Sequence, residues 1–459
     1  MASDLSTGSP NEPQKVLRPL GAIAIVVGIV VGAGIFKTPS MVAGITQDAG
    51  WLILVWILGA IISLAGALCY AELCTRYPHA GGDYHFLTKA YGKDLSFLYA
   101  WAKAMVINTG AIALLAFVFG DYMSKVLSLG TYSAALWAFS IVVLLTITNI
   151  IGLQASARIQ TALIVFEVLG LLAIVVAGFF AATPETVPSS AFENSPPLGL
   201  LGLAMVFVLL TFGGWNEAAY ISSEVRGGPR AIVGVLVISL SVITAIYLLV
   251  NIALLWGLGL TGLAGSKTAG ADVLGLLVGP WAERALGLLV AIAALTSINA
   301  TMIVGARTNY ALGKDWVSLK GLSQWQGARG VPITSYLVQA AISLALIVFG
   351  AFQSDGFEAM VEFTAPVFWS FLFLVGVSLF IARWRDPRGS DTTELFRVPL
   401  YPVTPLIFCL ACGYLAYSSI GYAASKEAVH ISLWVMFLGV AALAAVRFMG
   451  SRSARSGAA

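Results

Sequence analysis

The chain has 459 residues, of which 59% are hydrophobic and 10% charged, with a formal net charge of +3. About a quarter of the residues of a soluble globular protein are charged, so a water-facing surface on the scale of this chain is excluded. The near-neutral balance gives no footprint for nucleic acid. The apolar excess needs lipid to face, and lipid restricts the backbone to helices or a closed barrel, because unpaired N–H and C=O groups are not tolerated in hydrocarbon. The apolar runs are long and continuous rather than alternating, which selects helices.

Taken in chain order, residues 1–19 are polar and lack a short apolar core followed by a small-residue cleavage site, so they are predicted to be a disordered cytosolic tail and not a signal peptide. A helical crossing takes about 20 apolar residues. Such stretches fall at 20–46, 50–74, 95–123, 132–152, 157–181, 198–224, 231–256, 283–312, 333–352, 358–382, 400–422 and 430–449. The longest polar connections follow Tyr77, Gly257, Gly313 and Ala382, and none holds a soluble domain. Lys and Arg in short loops mark the cytosolic side. With the N-terminus inside, the outer loops receive only Lys125, Lys267, Arg284 and Lys426, and nearly all other Lys and Arg fall inside. That bias supports an even helix count with both ends cytosolic. Cys69, Cys74, Cys409 and Cys412 lie in or beside apolar segments and are expected to be buried thiols between helices.

Two spans are expected to break near the membrane midplane. In the first, Gly32-Ala33-Gly34 lies about twelve residues from the start, with Pro39 five residues further on. In the sixth, Thr211-Phe212-Gly213-Gly214-Trp215 falls near the middle, with Asn216 and Glu217 beside it. The clusters are about 180 residues apart, the offset between spans one and six, so spans 1–5 and 6–10 read as two copies of one unit. Gly-interrupted segments at corresponding positions of two halves point to a transporter binding site; close helix packing is the alternative. Freed amides at the start of a half-helix attract anions. Those of Gly32, Ala33 and Gly34, just before a half-helix beginning near Ile35, therefore suit a substrate carboxylate. Freed carbonyls at Val30 and along Leu210-Thr211-Phe212 suit an ammonium. A zwitterion matches these two poles.

Ionisable residues inside a span are functional candidates by default. Glu167 sits mid-span with no helix end within reach, and is expected to titrate or bind a cation near Thr296, Ser297 and Asn299. Glu217 follows the break and has either a gate role or bonds freed amides. Lys103 is expected to snorkel to the cytosolic surface, and Glu72 and Glu224 to pair with loop arginines such as Arg76 or Arg226. Glu362 is placed at an outer vestibule; Lys37, in the outer half-helix, has no assignment from sequence. His79, His85 and His430 have no metal-ligand spacing, and no Walker sequence or catalytic triad stands out. The chain is therefore not read as an enzyme, and no cofactor is expected beyond a coupling proton or sodium ion.

Several stretches resemble the amino acid–polyamine–organocation superfamily, nearest its L-type amino acid transporter branch: GAGIFKTPS at 32–40, AELCTRYPHAGGDYHFLTKAYG at 71–92, NIIGLQASARIQ at 149–160 and FGGWNEAAYISSEVRGGPR at 212–230. The resemblance implies an all-α membrane protein of about twelve transmembrane helices, with a LeuT-like inverted 5+5 repeat broken in helices 1 and 6. The transport core would span 20–382, with repeats at about 20–181 and 198–382. Helices 11 and 12 would lie in 383–449, and a cytosolic tail in 450–459. It also implies carboxylate binding at Ala33 and Gly34 and amine binding at the carbonyls of Val30, Leu210 and Thr211. This chain departs from relatives in two places. Leu210 stands where many carry an aromatic gate, leaving Phe212 or Trp215 as replacements. Glu167 stands where several sodium-independent relatives place a Lys.

The function expected is secondary active transport of amino acids, of neutral type, by exchange or proton coupling in a cytoplasmic membrane. Another organic amine or polyamine is the alternative substrate, and a channel or receptor the alternative class. Animal relatives of the L-type branch join a partner through an extracellular Cys. The loop SKVLSLGTYS after span three has none, so no disulfide-linked subunit is expected, and the oligomeric state stays open.

Overall fold

The computed structural model describes residues 19–77, 79, 82–151, 157–188, 190–217, 225–324, 332–386, 395–424 and 428–456. The expected N-terminal tail, Glu224, Pro78, Gly81 and the inner continuation of span six lie outside them. Among the described residues there is no β-strand, and the long elements are apolar helices that bury one another and face lipid with the remainder.

The first span is two helices, α1 (Pro19–Val30) and α2 (Gly34–Thr46), separated by three non-helical residues. There follow α3 (Ala49–Arg76), the short α4 (Gly82–Tyr91), α5 (Lys93–Ala102) and α6 (Asn108–Val126). A π-helical turn at Lys103–Ile107 joins α5 to α6 into one long crossing. Then come α7 (Ser133–Ile151), α8 (Ala157–Ala181) and α9 (Leu198–Thr211), the last followed by a 3-10 turn at Trp215–Glu217. The second half holds α10 (Gly228–Gly265), bent at Gly259, α11 (Ala269–Val278), α12 (Pro280–Asp315), α13 (Ile333–Ala351) and α14 (Gly356–Arg385). Two more helices, α15 (Val403–Ala424) and α16 (Ala428–Ser456), complete the chain. Among the described residues ten helical stretches are long and apolar enough to cross a membrane, and α1, α9 and α11 contain shorter apolar helices.

The expected spans and these helices coincide to within a few residues at most boundaries. Three details differ. The connection after Tyr77 contains α4, and the one after Gly257 contains α11; both are too short to register as spans, and α4 is also mixed in polarity. The last helix runs on to Ser456, past the expected end at 449. Lys103 does not snorkel: it is buried at 2% exposure inside the π turn. A register change of this kind is common where a helix must accommodate a group that does not fit an α-helical face. All four cysteines are buried thiols, as expected.

Charged groups pin the helix ends. At one end of the bundle the fully buried Glu72 carboxylate accepts from Arg383 Nε (2.8 Å) and Nη2 (2.6 Å) and from the Val398 amide (2.7 Å), with Arg76 at 3.3 Å. The expected pairing of Glu72 with Arg76 is present, and Arg383 is the stronger partner that lay beyond sequence reach. At the other end Asp48 caps α3, accepting from the amides of Gly50 and Trp51, and also holds the amides of Phe192, Glu193 and Asn194 in the connection before α9. Burial alone would push the Asp48 carboxyl up, but the amides of Trp51, Phe192, Asn194 and Glu193 outweigh it and hold the group below the usual carboxylate range.

Glu72→Gln removes the charge that two guanidinium groups share in a dry site. Breaking one partner of such a cluster costs about 3–5 kcal/mol. A clearly lowered thermal unfolding midpoint in detergent is expected, and an unchanged midpoint contradicts the assignment.

Candidate functional site

The break in the first span leaves its backbone half-satisfied. Val31 still donates to Val27 (2.7 Å), then Gly32 turns back onto Val30 O (2.9 Å). Ile35 and Phe36 restart the next helix through tight bonds to Gly32 O (3.4 Å) and Ala33 O (3.2 Å). The amides of Ala33 and Gly34 receive no acceptor from the described residues. They sit at the head of α2, where the helix dipole is positive.

The second break follows α9. Phe212 and Gly213 donate to Val208 O (2.9 Å) and Leu210 O (3.0 Å), closing the helix, and Gly214 then takes φ +106°. Only glycine adopts that conformation without strain, so the chain leaves the helix where the sequence places the paired glycines. The two breaks touch: a carbon added at Gly34 would lie 3.4 Å from both Thr211 Cγ2 and Oγ1. Above this contact the Thr38 hydroxyl meets the Thr211 hydroxyl at 2.6 Å, and Thr211 donates on to Phe207 O at 2.9 Å.

A residue that sequence reasoning missed joins the breaks from α10. The Tyr247 hydroxyl lies 2.8 Å from Val30 O and 3.2 Å from Thr211 O. A phenol has one proton, so it donates to one of these oxygens at a time. Two of the three carbonyls expected to meet an ammonium, those of Val30 and Thr211, thus converge on one donor from different helices. The third, Leu210, turns its oxygen to the Gly213 amide. Nothing in the run AIYLLVNIALL singles out Tyr247 for this role, since Asn251 in the same run is also polar and buried.

The two aromatic candidates are packed differently, Phe212 against the bridge and Trp215 away from it. Phe212 is fully buried between Trp56 of α3 (5.9 Å between centroids) and Tyr247 (5.0 Å). Trp215 stacks edge-on to Tyr70 of α3 (5.1 Å) and Phe408 of α15 (6.1 Å), closely enough that its ring lies 2.6 Å from where a carbon on Gly66 would stand. Asn216 lies with it beside a water-sized cavity of about 10 Å³ lined also by Ser63 and Trp369. Trp215 therefore faces α3 and α15. The backbone of Glu217 is in the 3-10 turn, and its side chain lies outside the described residues.

Glu167 is buried at 3% exposure, and its Oε1 has no hydrogen-bond partner. Its level is set by two close approaches: Gly28 of α1 against Ile164, and Gly170 against Leu289 of α12. It therefore lies beside α1 and α12, and the Tyr247 phenol is its electrostatic neighbour. The expected grouping with three α12 residues is only partly realised. Thr296 bonds its own helix at Ala293 O (2.7 Å), and the buried Ser297 hydroxyl has no partner. Asn299 is engaged elsewhere, accepting from Asn149 of α7 at 2.7 Å. No hydrogen bond joins any of them to Glu167 among the described residues. No group of three or more metal-ligating side chains occurs among them either.

A membrane bundle of many helices, interrupted at two touching sites deep in its interior, has the build of a carrier. The comparisons specify it. The chain belongs to the amino acid permease family, whose profile matches residues 17–443. It is 25% identical over 430 residues to b(0,+)-type amino acid transporter 1 of Rattus norvegicus, covering 92% of this chain and 86% of that one. It is 26% identical over 411 residues to the serine/threonine exchanger SteT of Bacillus subtilis, covering 86% and 89%. Over 445 residues it is 26% identical to the large neutral amino acids transporter small subunit 2 of Mus musculus, covering 93% and 80%. These are amino acid transporters of the amino acid–polyamine–organocation superfamily, and the chain resembles its L-type branch.

Gly214→Val forces a β-branched residue into a positive-φ turn. Uptake of labelled amino acid by reconstituted protein is expected to fall by at least about tenfold, since misplaced binding groups cost on that order or more. Gly234→Ala, a helical site with open space around the added carbon, is expected to leave uptake unchanged. Equal uptake by both variants contradicts a role for the second break.

Proposed function

We propose that this amino acid transporter carries neutral, zwitterionic amino acids by exchange, through alternating access around the two breaks. The observation that carries the reading is their electrical polarity. The unpaired amides of Ala33 and Gly34 face a substrate carboxylate, with Gly32 and Ile35 beside them. The oxygens of Val30 and Thr211, already converging on the Tyr247 hydroxyl, receive the ammonium, while the Leu210 oxygen stays with the Gly213 amide. An ammonium has three donors where the phenol has one, so it engages both oxygens at once. Both poles come from backbone, so no charged side chain is needed to hold a neutral substrate.

In this reading residues 20–382 form the transport core, and spans 1–5 and 6–10 are the inverted repeats at about 20–181 and 198–382. The segment 383–449 adds two helices. Both ends are cytosolic, the membrane is the cytoplasmic one, and no subunit is disulfide-linked. Exchange is favoured by the likeness to a bacterial exchanger. A second reading, proton coupling, is favoured by Glu167: a buried carboxyl with an unpartnered oxygen beside the Tyr247 bridge is placed to carry a proton between the two faces.

Proteoliposomes separate these readings. Exchange predicts that preloaded neutral amino acid accelerates uptake of labelled amino acid without an ion gradient. It also predicts that analogues lacking the carboxyl or the amine fail to compete. Uptake driven by an imposed proton gradient, independent of internal amino acid and abolished in Glu167→Gln, replaces exchange by the second reading. Competition by amines lacking a carboxyl overturns the amino acid site itself.

A further inference from the structure

Lys37 is the charged residue that the binding site does not use. It lies on α2, three residues beyond Gly34, and is 4% exposed. Its ammonium is 2.6 Å from Asp121 Oδ2 of α6 and 3.3 Å from Asp355 Oδ2, and it lies 5.5 Å from the centre of the Phe357 ring. Asp355 is aimed by its other oxygen, which caps α14 by accepting from the amides of Phe357 (2.8 Å) and Glu358 (3.1 Å). Burial alone would push the Asp355 carboxyl up; the Lys37 ammonium and the cap amides overcome this and hold it below the usual range. Next to Lys37, the Phe36 carbonyl accepts from Tyr122 of α6 at 3.1 Å. One side chain thus ties the outer half of the broken first span to α6 and to the start of α14.

The charges sit across a boundary. The lysine is dry, whereas the two aspartate side chains keep 24% and 28% of their surface. A permanent contact between three helices is served as well or better by apolar side chains of similar size. An ion pair differs in what water does to it. It holds while dry, and is worth little once both charges are solvated. Such a contact is firm in a closed state and gives way cheaply as water enters.

We propose that Lys37, Asp121 and Asp355 form the outer lock of the transporter, closed in this structure and broken whenever the site opens to the outside. The proposal rests on the alternating-access reading above. α2 carries both the lock and, at its head, the amides assigned to the substrate carboxylate. Release of the lock therefore moves a wall of the site, and the same half-helix reports binding to the outer surface.

The test is thiol accessibility. Ser40, also on α2, is 6% exposed and its hydroxyl has no partner. Ser40→Cys is placed in otherwise intact protein in right-side-out vesicles and labelled from outside with a membrane-impermeant maleimide; protein without Ser40→Cys gives the background from the native cysteines. Lys37→Met leaves two carboxylates facing each other, and labelling is expected to rise by at least about tenfold, a shift of one decade in the open population. Lys37→Arg is expected to stay within about twofold of the parent, since the charge is kept. Should Lys37→Met fail to fold, Asp121→Asn removes only the shorter pair, and an increase of at least about threefold is expected. Unchanged labelling in a folded Lys37→Met or Asp121→Asn protein overturns the lock. Added neutral amino acid is a separate arm. If the lock fails but the transport reading holds, the amino acid still changes the labelling rate; if the transport reading fails but the lock holds, only the charge variants do.

Discussion

Backbone that leaves a helix inside a membrane must find partners for its N–H and C=O groups, because the surrounding hydrocarbon supplies none. That constraint governs this molecule. Two crossings break at touching glycine sites, and the groups set free are sorted by sign: amides at the head of α2, carbonyls at the ends of α1 and α9. Tyr247 reaches in from a third helix to meet two of those carbonyls. The amides of Ala33 and Gly34 are left without an acceptor among the described residues.

The ionisable side chains follow the same economy of placement. Glu72 with Arg383 and Arg76 fastens α3 and α14 at one end of the bundle, and Lys37 with Asp121 and Asp355 fastens α2, the second half of the broken span, at the other. Helix α14 is held at both ends, to α3 at one and to α2 at the other. Glu167 stands apart from both clusters. It is deeply buried, with the Tyr247 phenol as its electrostatic neighbour.

The spans were legible because a run of about 20 apolar residues has no other stable use. The breaks were legible because paired glycines at mid-depth are costly in a plain helix. Gly214 at φ +106° and the unpaired amides at Ala33 and Gly34 fall where the sequence placed them, whereas the Gly32 amide, expected to be free with them, is bonded to Val30 O. What was not legible depends on which faces meet. The partners of Lys37 lie 84 and 318 positions away, and no local pattern announces them. Tyr247 sits in a mostly apolar run that also holds Thr244 and Asn251, and nothing there singles it out. Trp215 has the composition of a gate, but Gly66 opens room for its ring on the α3 side and it packs there. Asn299 was grouped with Glu167 by depth, yet its face of α12 turns to Asn149 of α7. Depth is written in the sequence; rotation about the helix axis is settled by packing.

The most direct measurement is an experimentally determined structure of the protein with a neutral amino acid bound. The account predicts density bridging the two breaks, its carboxylate within hydrogen-bond reach of the Ala33 and Gly34 amides and its amine on the carbonyls of Val30 and Thr211, with the Tyr247 hydroxyl displaced or shared. A substrate bound elsewhere, or one whose amine and carboxylate are held by side chains while those amides stay unfilled, contradicts it.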